Sequence, residues 1–361
     1  MSETGTSLVV VDRQAAAWAE ELGVSADACA LLLESDFIDL HLDLEVPIRL
    51  YGYDPRRRHP PTGKAAVWFG HTDYPRLLEA GFTGVVYDIA TNPFRPERNR
   101  QATTVANVAR ALDRIRAHPE HLAFVRNRTE YDAARAAGKM ALFLSLQGGN
   151  ALAADPGVLE GPLGDDLHRI TLVHLTRSVL GGTNSPFGGD KGLTDRGRDF
   201  VRICNQRRVL VDLAHAGRQT FFDALEVHAD DIPPIVSHTG VSAVREHWRN
   251  IDDEQIRVIA DRGGVVGIMY QSSFLEDVWV MGRAKRSSIL DHLEHVLDVG
   301  GEEVAAIGTD YDGMIVPPGD LPDVTSHPLL VQDMLDRGWS DTRIKGVLGD
   351  NYLRVVREVR P

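Results

Sequence analysis

Apolar residues in this chain fall into eight short, nearly continuous runs, and helical patterns fill most of the gaps between them. The runs are DFIDLHLDL (36–44), FTGVVYDIA (82–90), MALFLSLQ (140–147), RITLVHL (169–175), RVLVDLAH (208–215), PIVSH (234–238), GVVGIMY (264–270) and VAAIGTD (304–310). Unbroken apolar character over five to nine residues is the mark of parallel strands covered on both faces. Segments 103–118, 194–207, 217–229, 252–262 and 286–299 instead repeat their apolar residues every three or four positions, which predicts helices. Eightfold alternation of strand and helix predicts a single (β/α)8 TIM-type barrel of class α/β, with an open doubly wound sheet as the alternative. The open sheet would carry phosphate-type glycine turns that this chain lacks. One domain, 1–361, is expected. A leader helix (1–34) precedes the barrel, and a C-terminal loop and helices (311–361) pack on its outside or base. Segments 45–72 and 181–192 have no clear period and are placed over the barrel mouth, where lids and specificity loops sit.

Composition narrows the field of partners. The 361 residues carry a formal net charge of −13, which disfavours nucleic acid or an anionic membrane surface. No apolar stretch approaches the length of a membrane span, and the N-terminus has acids where a signal peptide needs a basic start. Cys29 and Cys204 form no CxxC and are expected to be buried small side chains, in keeping with a cytoplasmic protein.

The chemistry gathers at the ends of the strands. His41, Asp43, Gln147, His174, His215, His238 and Asp310 each stand at or just past the C-terminal end of an apolar run. A parallel barrel builds its active site on that edge. Imidazoles with carboxylates make a divalent-metal ligand set, for Zn2+ first and Mn2+ or Co2+ as well. His41 and Asp43 are two apart, so a strand turns both to one face. His215 and His238 end neighbouring strands. Asp310 is placed to ligate metal and to take a proton from activated water. His174 is a candidate to polarise a substrate carbonyl, and Arg249 to grip a carboxylate. HLEH (292–295) lacks the HExxH spacing and is assigned to a helix surface. The histidines at 59, 71, 118, 121, 168, 228, 247 and 327 are assigned to loops or polar helix faces, and RRRH (56–59) to a solvated loop.

Taken together, DLHLD (39–43), LQGGN (146–150), ITLVH (170–174), GLTDRGRDFVRICN (192–205), VDLAH (211–215), PPIVSHTGVSAVREHWRN (233–250), IGTDYDG (307–313) and GDNYLRVV (349–356) resemble the renal (membrane) dipeptidase family of metal-dependent barrels. The resemblance runs from about residue 36 to the end. It implies a binuclear zinc site that cleaves the amide bond of a dipeptide, with His41 and Asp43 on one ion and His215 and His238 on the other. It further implies substrate contacts from His174, Arg249 and Asn150, an acid/base role for Asp310, and a homodimer. The departure is Gln147, where the family has a glutamate that bridges both ions, and Asn150 replaces a residue that is often His. Two divalent ions without that charge repel more strongly. Each unit charge pair at 4 Å is worth about 4 kcal/mol at an effective dielectric near 20. The function implied is therefore a dipeptidase-type hydrolase. The alternatives are an enzyme repurposed for a non-dipeptide substrate and a catalytically impaired homologue that binds such ligands.

Overall fold

The computed structural model describes residues 15–60, 67–90, 92, 95–189, 191–279 and 283–361. Nine parallel strands occur among them: β1 Ile38–Leu42, β2 Gly84–Ala90, β3 Leu122–Val125, β4 Met140–Gln147, β5 Leu167–Thr171, β6 Leu210–Asp212, β7 Ile235–Thr239, β8 Val265–Ile268 and β9 Ala305–Ile307. Eight run in the order β1-β2-β4-β5-β6-β7-β8-β9. The ring closes where Leu42 bridges Tyr311 and the Asp310 amide donates to the His41 carbonyl at 3.0 Å. The (β/α)8 barrel is thus the fold. β3 is a correction, since it was not expected. It hangs on the outside of β4 as a four-residue edge, and LAFV is too short to stand out as a run.

The leader also differs from expectation. Two short helices, Ala15–Leu22 and Ala26–Glu34, replace the single one, because Ser25 caps the second by accepting from the Ala28 amide. Residues 1–14 of the expected leader, and 61–66 of the expected lid, lie outside the described residues. Helices Glu45–Tyr51, Tyr74–Glu79 and Arg128–Ala136 were not foreseen. The first of these occupies part of the segment that showed no period.

The barrel interior is stacked in tiers. Its floor is apolar: Ile38, Leu40, Val86, Phe143, Leu210, Ile235, Val265 and Ala306 pack with Tyr352, Val355, Val356 and Val359. Those last four lie on the C-terminal helix Asn351–Val359, which therefore plugs the base. Strand periodicity then lifts the chemistry toward the mouth. Along β4, Phe143 lies in the floor, Ser145 in a polar middle layer and Gln147 at the top. Glycine lets the strands approach at this level. A Cβ on Gly308 would come within 1.9 Å of the Ser237 carbonyl oxygen, and one on Gly267 within 2.0 Å.

Candidate metal centre

Strand ends bring the expected ligands to one point. His41 Nε2 lies 3.6 Å from Asp43 Oδ2 and 3.7 Å from Asp310 Oδ1. The His41 and His238 rings stack with centroids 3.8 Å apart, and His215 Nε2 lies 2.9 Å from His238 Nε2. The Gln147 amide sits at the centre, its Nε2 position 3.2, 3.4 and 3.5 Å from the Nε2 atoms of His41, His215 and His238. His174 meets His215 edge-on at 4.7 Å. Asn150 is buried on the short turn Gly149–Ala151 that follows β4. His215 and Asp310 both hold positive φ, 65° and 60°. Such strain in a residue other than glycine concentrates at functional sites.

The electrostatics suit a cation. Burial pushes His41 down to about 4 and His174 to about 3, and pushes His215 and His238 well below the ordinary range. These imidazoles are neutral, the form that ligates metal. Burial pushes Asp43 up to about 7, and burial with the neighbouring Asp43 raises Asp310 well above its usual value. A positive ion would reverse both shifts. Asp43 Oδ1 and His215 Nδ1 are buried with no hydrogen-bond partner, so the donor set has capacity to spare. Arg249, expected here as a carboxylate grip, is also buried. Its Nη2 donates to the His238 carbonyl at 2.7 Å, and its Nη1 has no partner. The residues present fit a divalent ion.

Residues 25–361 match the family model of the membrane dipeptidases, peptidase family M19. The chain belongs to that family. As a family member it is an enzyme, a metal-dependent dipeptidase-type hydrolase. Three solved structures share its architecture. The dipeptidase AC, a metallopeptidase of family M19, is 25% identical over 90% of this chain and 98% of its own, with a TM-score of 0.79. A Rhodobacter sphaeroides metallopeptidase, solved with a phosphinate mimic of the dipeptide L-Ala-D-Ala, is 23% identical over 90% and 99%, with a TM-score of 0.78. The probable dipeptidase PvdM of Pseudomonas aeruginosa is 15% identical over 92% and 97%, with a TM-score of 0.80. Among the described residues no helix is long and apolar enough to cross a membrane.

This M19 chain also has a charged layer beneath the candidate ligands that sequence reading missed. Arg169, wholly buried on β5, donates to Ser145 Oγ (2.9 Å), Asp88 Oδ1 (3.0 Å), His41 Nδ1 (2.8 Å) and the Leu40 carbonyl. Asp212 accepts from Thr171 Oγ1 and Ser237 Oγ, each at 2.6 Å, and from the Ala214 and Ser237 amides. Burial opposes ionisation of Asp212, but Arg169 and these donors outweigh it and hold the carboxyl below its usual range. Asp39 accepts from the Thr309 amide and hydroxyl and so ties β1 to the end of β9. The available signal was a charged residue inside an otherwise apolar strand: Asp88 in GVVYDIA, Arg169 in LHRIT, Asp212 in LVD.

Several dismissed histidines are corrected too. His292 is wholly buried, accepting from the Val241 amide through Nδ1 and facing the Leu275 carbonyl through Nε2, so the first half of HLEH is core while Glu294 and His295 stay partly exposed. His71, His118 and His228 lie in loops as expected but are buried there, whereas His168 is buried on β5 and His327 is buried at the start of the helix His327–Asp336.

Proposed function

We propose that this chain hydrolyses the amide bond of a dipeptide or a small carboxylate-bearing amide. The observation that carries the reading is the convergence of three neutral imidazoles, two carboxylates and the Gln147 amide at one buried point. The ligands of the ion would be drawn from His41, Asp43, His215, His238 and Asp310, with the Gln147 amide able to offer its carbonyl oxygen. Zinc is the first choice for such a set, with manganese or cobalt as substitutes. When bound, the ion supplies Lewis acidity that brings the pKa of a water toward about 7.

The protein's own groups supply the rest. Asp310, at the edge of the ligand cluster, takes the proton lost by the water and returns it to the leaving amine. Arg249 presents its unpaired Nη1 to the substrate carboxylate. His174, beside His215, polarises the scissile carbonyl, and Asn150 borders the substrate's seat. A second reading, an enzyme repurposed for a different amide, is favoured by one observation: a neutral Gln147 stands among the ligands.

The test is amine release from a panel of dipeptides by chain stripped with chelator and then reloaded with zinc or manganese. Hydrolysis that appears only on reloading supports the proposal. A reloaded chain that binds metal but leaves every dipeptide intact supports the repurposed reading. A chain that binds no metal overturns both.

A further inference from the structure

Arg169 is a cation sealed from water in the floor of the metal centre, and its contacts fix the hydrogens of its neighbour. A guanidinium only donates. Its Nη2 lies 2.8 Å from His41 Nδ1, so that nitrogen accepts, and the hydrogen of the neutral ring is on Nε2. Nε2 is the atom facing the site, toward Asp43 Oδ2, Asp310 Oδ1 and the Gln147 amide. A nitrogen that carries a hydrogen has no lone pair for a metal.

His238 is wired the other way round. Both oxygens of Asp212 accept, and Ser237 spends its hydroxyl hydrogen on Oδ2 at 2.6 Å. Ser237 Oγ, 2.7 Å from His238 Nδ1, is then the acceptor of that ring's N–H. His238 Nε2 is left with its lone pair toward the mouth, the arrangement of metal-binding imidazoles, whose other nitrogen donates outward. His215 Nε2 can donate to that lone pair at 2.9 Å in the metal-free site, and because no cation holds its unpartnered Nδ1 the hydrogen is free to move there when an ion binds, a shift that the guanidinium denies to His41.

We propose that this chain grips a single divalent ion between His215 and His238. Arg169 is a positioning residue that keeps the hydrogen of His41 on Nε2, facing Asp43 and Asp310 at 3.6 and 3.7 Å, so that this nitrogen is not a ligand. The proposal rests on the metal-dependent reading above and assigns the ion to one half of the centre. Gln147 belongs to the same design, since it adds no negative charge with which to hold a second ion beside the guanidinium.

Zinc titration against a competing chelator, with metal counted per chain after desalting, tests this on the wild type, His41→Gln and His215→Ala, each checked for fold by circular dichroism. The expected result is one zinc in the wild type. His41→Gln should keep it with less than about a tenfold loss of affinity, whereas His215→Ala should lose about a hundredfold or more. Nitrogen NMR of the histidine-labelled, metal-free wild type should find His41 protonated on Nε2. In Arg169→Gln, whose amide oxygen can accept, the proton should move to Nδ1, a change that a merely structural role would not produce. If Arg169→Gln does not fold, the wild-type spectrum and His41→Gln still decide the matter. Two ions in the wild type, loss of the ion in His41→Gln as large as in His215→Ala, or a proton on Nδ1 of wild-type His41 would each overturn the proposal. No ion in the wild type would instead overturn the metal-dependent reading beneath it.

Discussion

Gln147 puts a neutral amide at the one point that three imidazoles share. A unit charge placed about 4 Å from a cation is worth about 4 kcal/mol at an effective dielectric near 20, before desolvation is subtracted. Gln147→Glu should therefore tighten zinc by at least about tenfold, read by chelator competition; unchanged affinity would mean that the ion sits away from residue 147. Arg249→Met should raise KM for a carboxylate-bearing substrate by about a hundredfold with a smaller change in kcat, because the guanidinium binds a group remote from the reacting bond. Steady-state kinetics on a dipeptide and its amide-capped analogue check this, since the capped substrate should lose little. At this scale the candidate residues that meet at the mouth stood out in sequence because polar residues closing an apolar run are conspicuous. Arg169 and Asp88 were not, because a charge within a strand gives no hint of the partner that neutralises it.

Strands and long helices followed from periodicity, but the mouth did not. One anchor of the mouth is Asp312, whose carboxylate accepts from the amides of Gly70, His71 and Thr72 and from the Thr72 hydroxyl. It stands at a φ of 66°, two residues beyond Asp310. This clamp joins residues 242 apart in sequence, so no local pattern could announce it. Asp312→Ala leaves three amides and a hydroxyl to find water and should cost about 2–4 kcal/mol. An unfolding free energy from urea titration lowered by that amount, with a lower midpoint, KM raised and metal stoichiometry intact, is the expected outcome. An unchanged midpoint would show that the clamp bears no weight.

Across the whole molecule, burial governs the response to pH. Ten histidines are held below their ordinary pKa, among them His41, His228, His292 and His327 at about 4. Each binds protons more readily when unfolded, so its contribution is present above about 6.5 and is lost as pH falls toward 4. Five aspartates are raised instead, Asp39 and Asp43 to about 7, and their contribution is lost as pH rises through that value. The histidines are the larger set, so metal-stripped protein should lose stability from pH 6.5 to 4.5. Denaturant midpoints across that range check the sign, and a midpoint that rises on acidification would refute it. The barrel was readable because its strands and helices repeat along the chain. The hydrogen-bond wiring that decides which imidazoles offer a lone pair was not, because it depends on contacts between strands.

The position of the ion is the most direct test of the whole. Crystals grown with zinc should give, at the zinc absorption edge, one anomalous peak within bonding distance of His215 Nε2 and His238 Nε2. No peak in the barrel mouth, or one peak on His41 and Asp43 with none on the histidine pair, would contradict it.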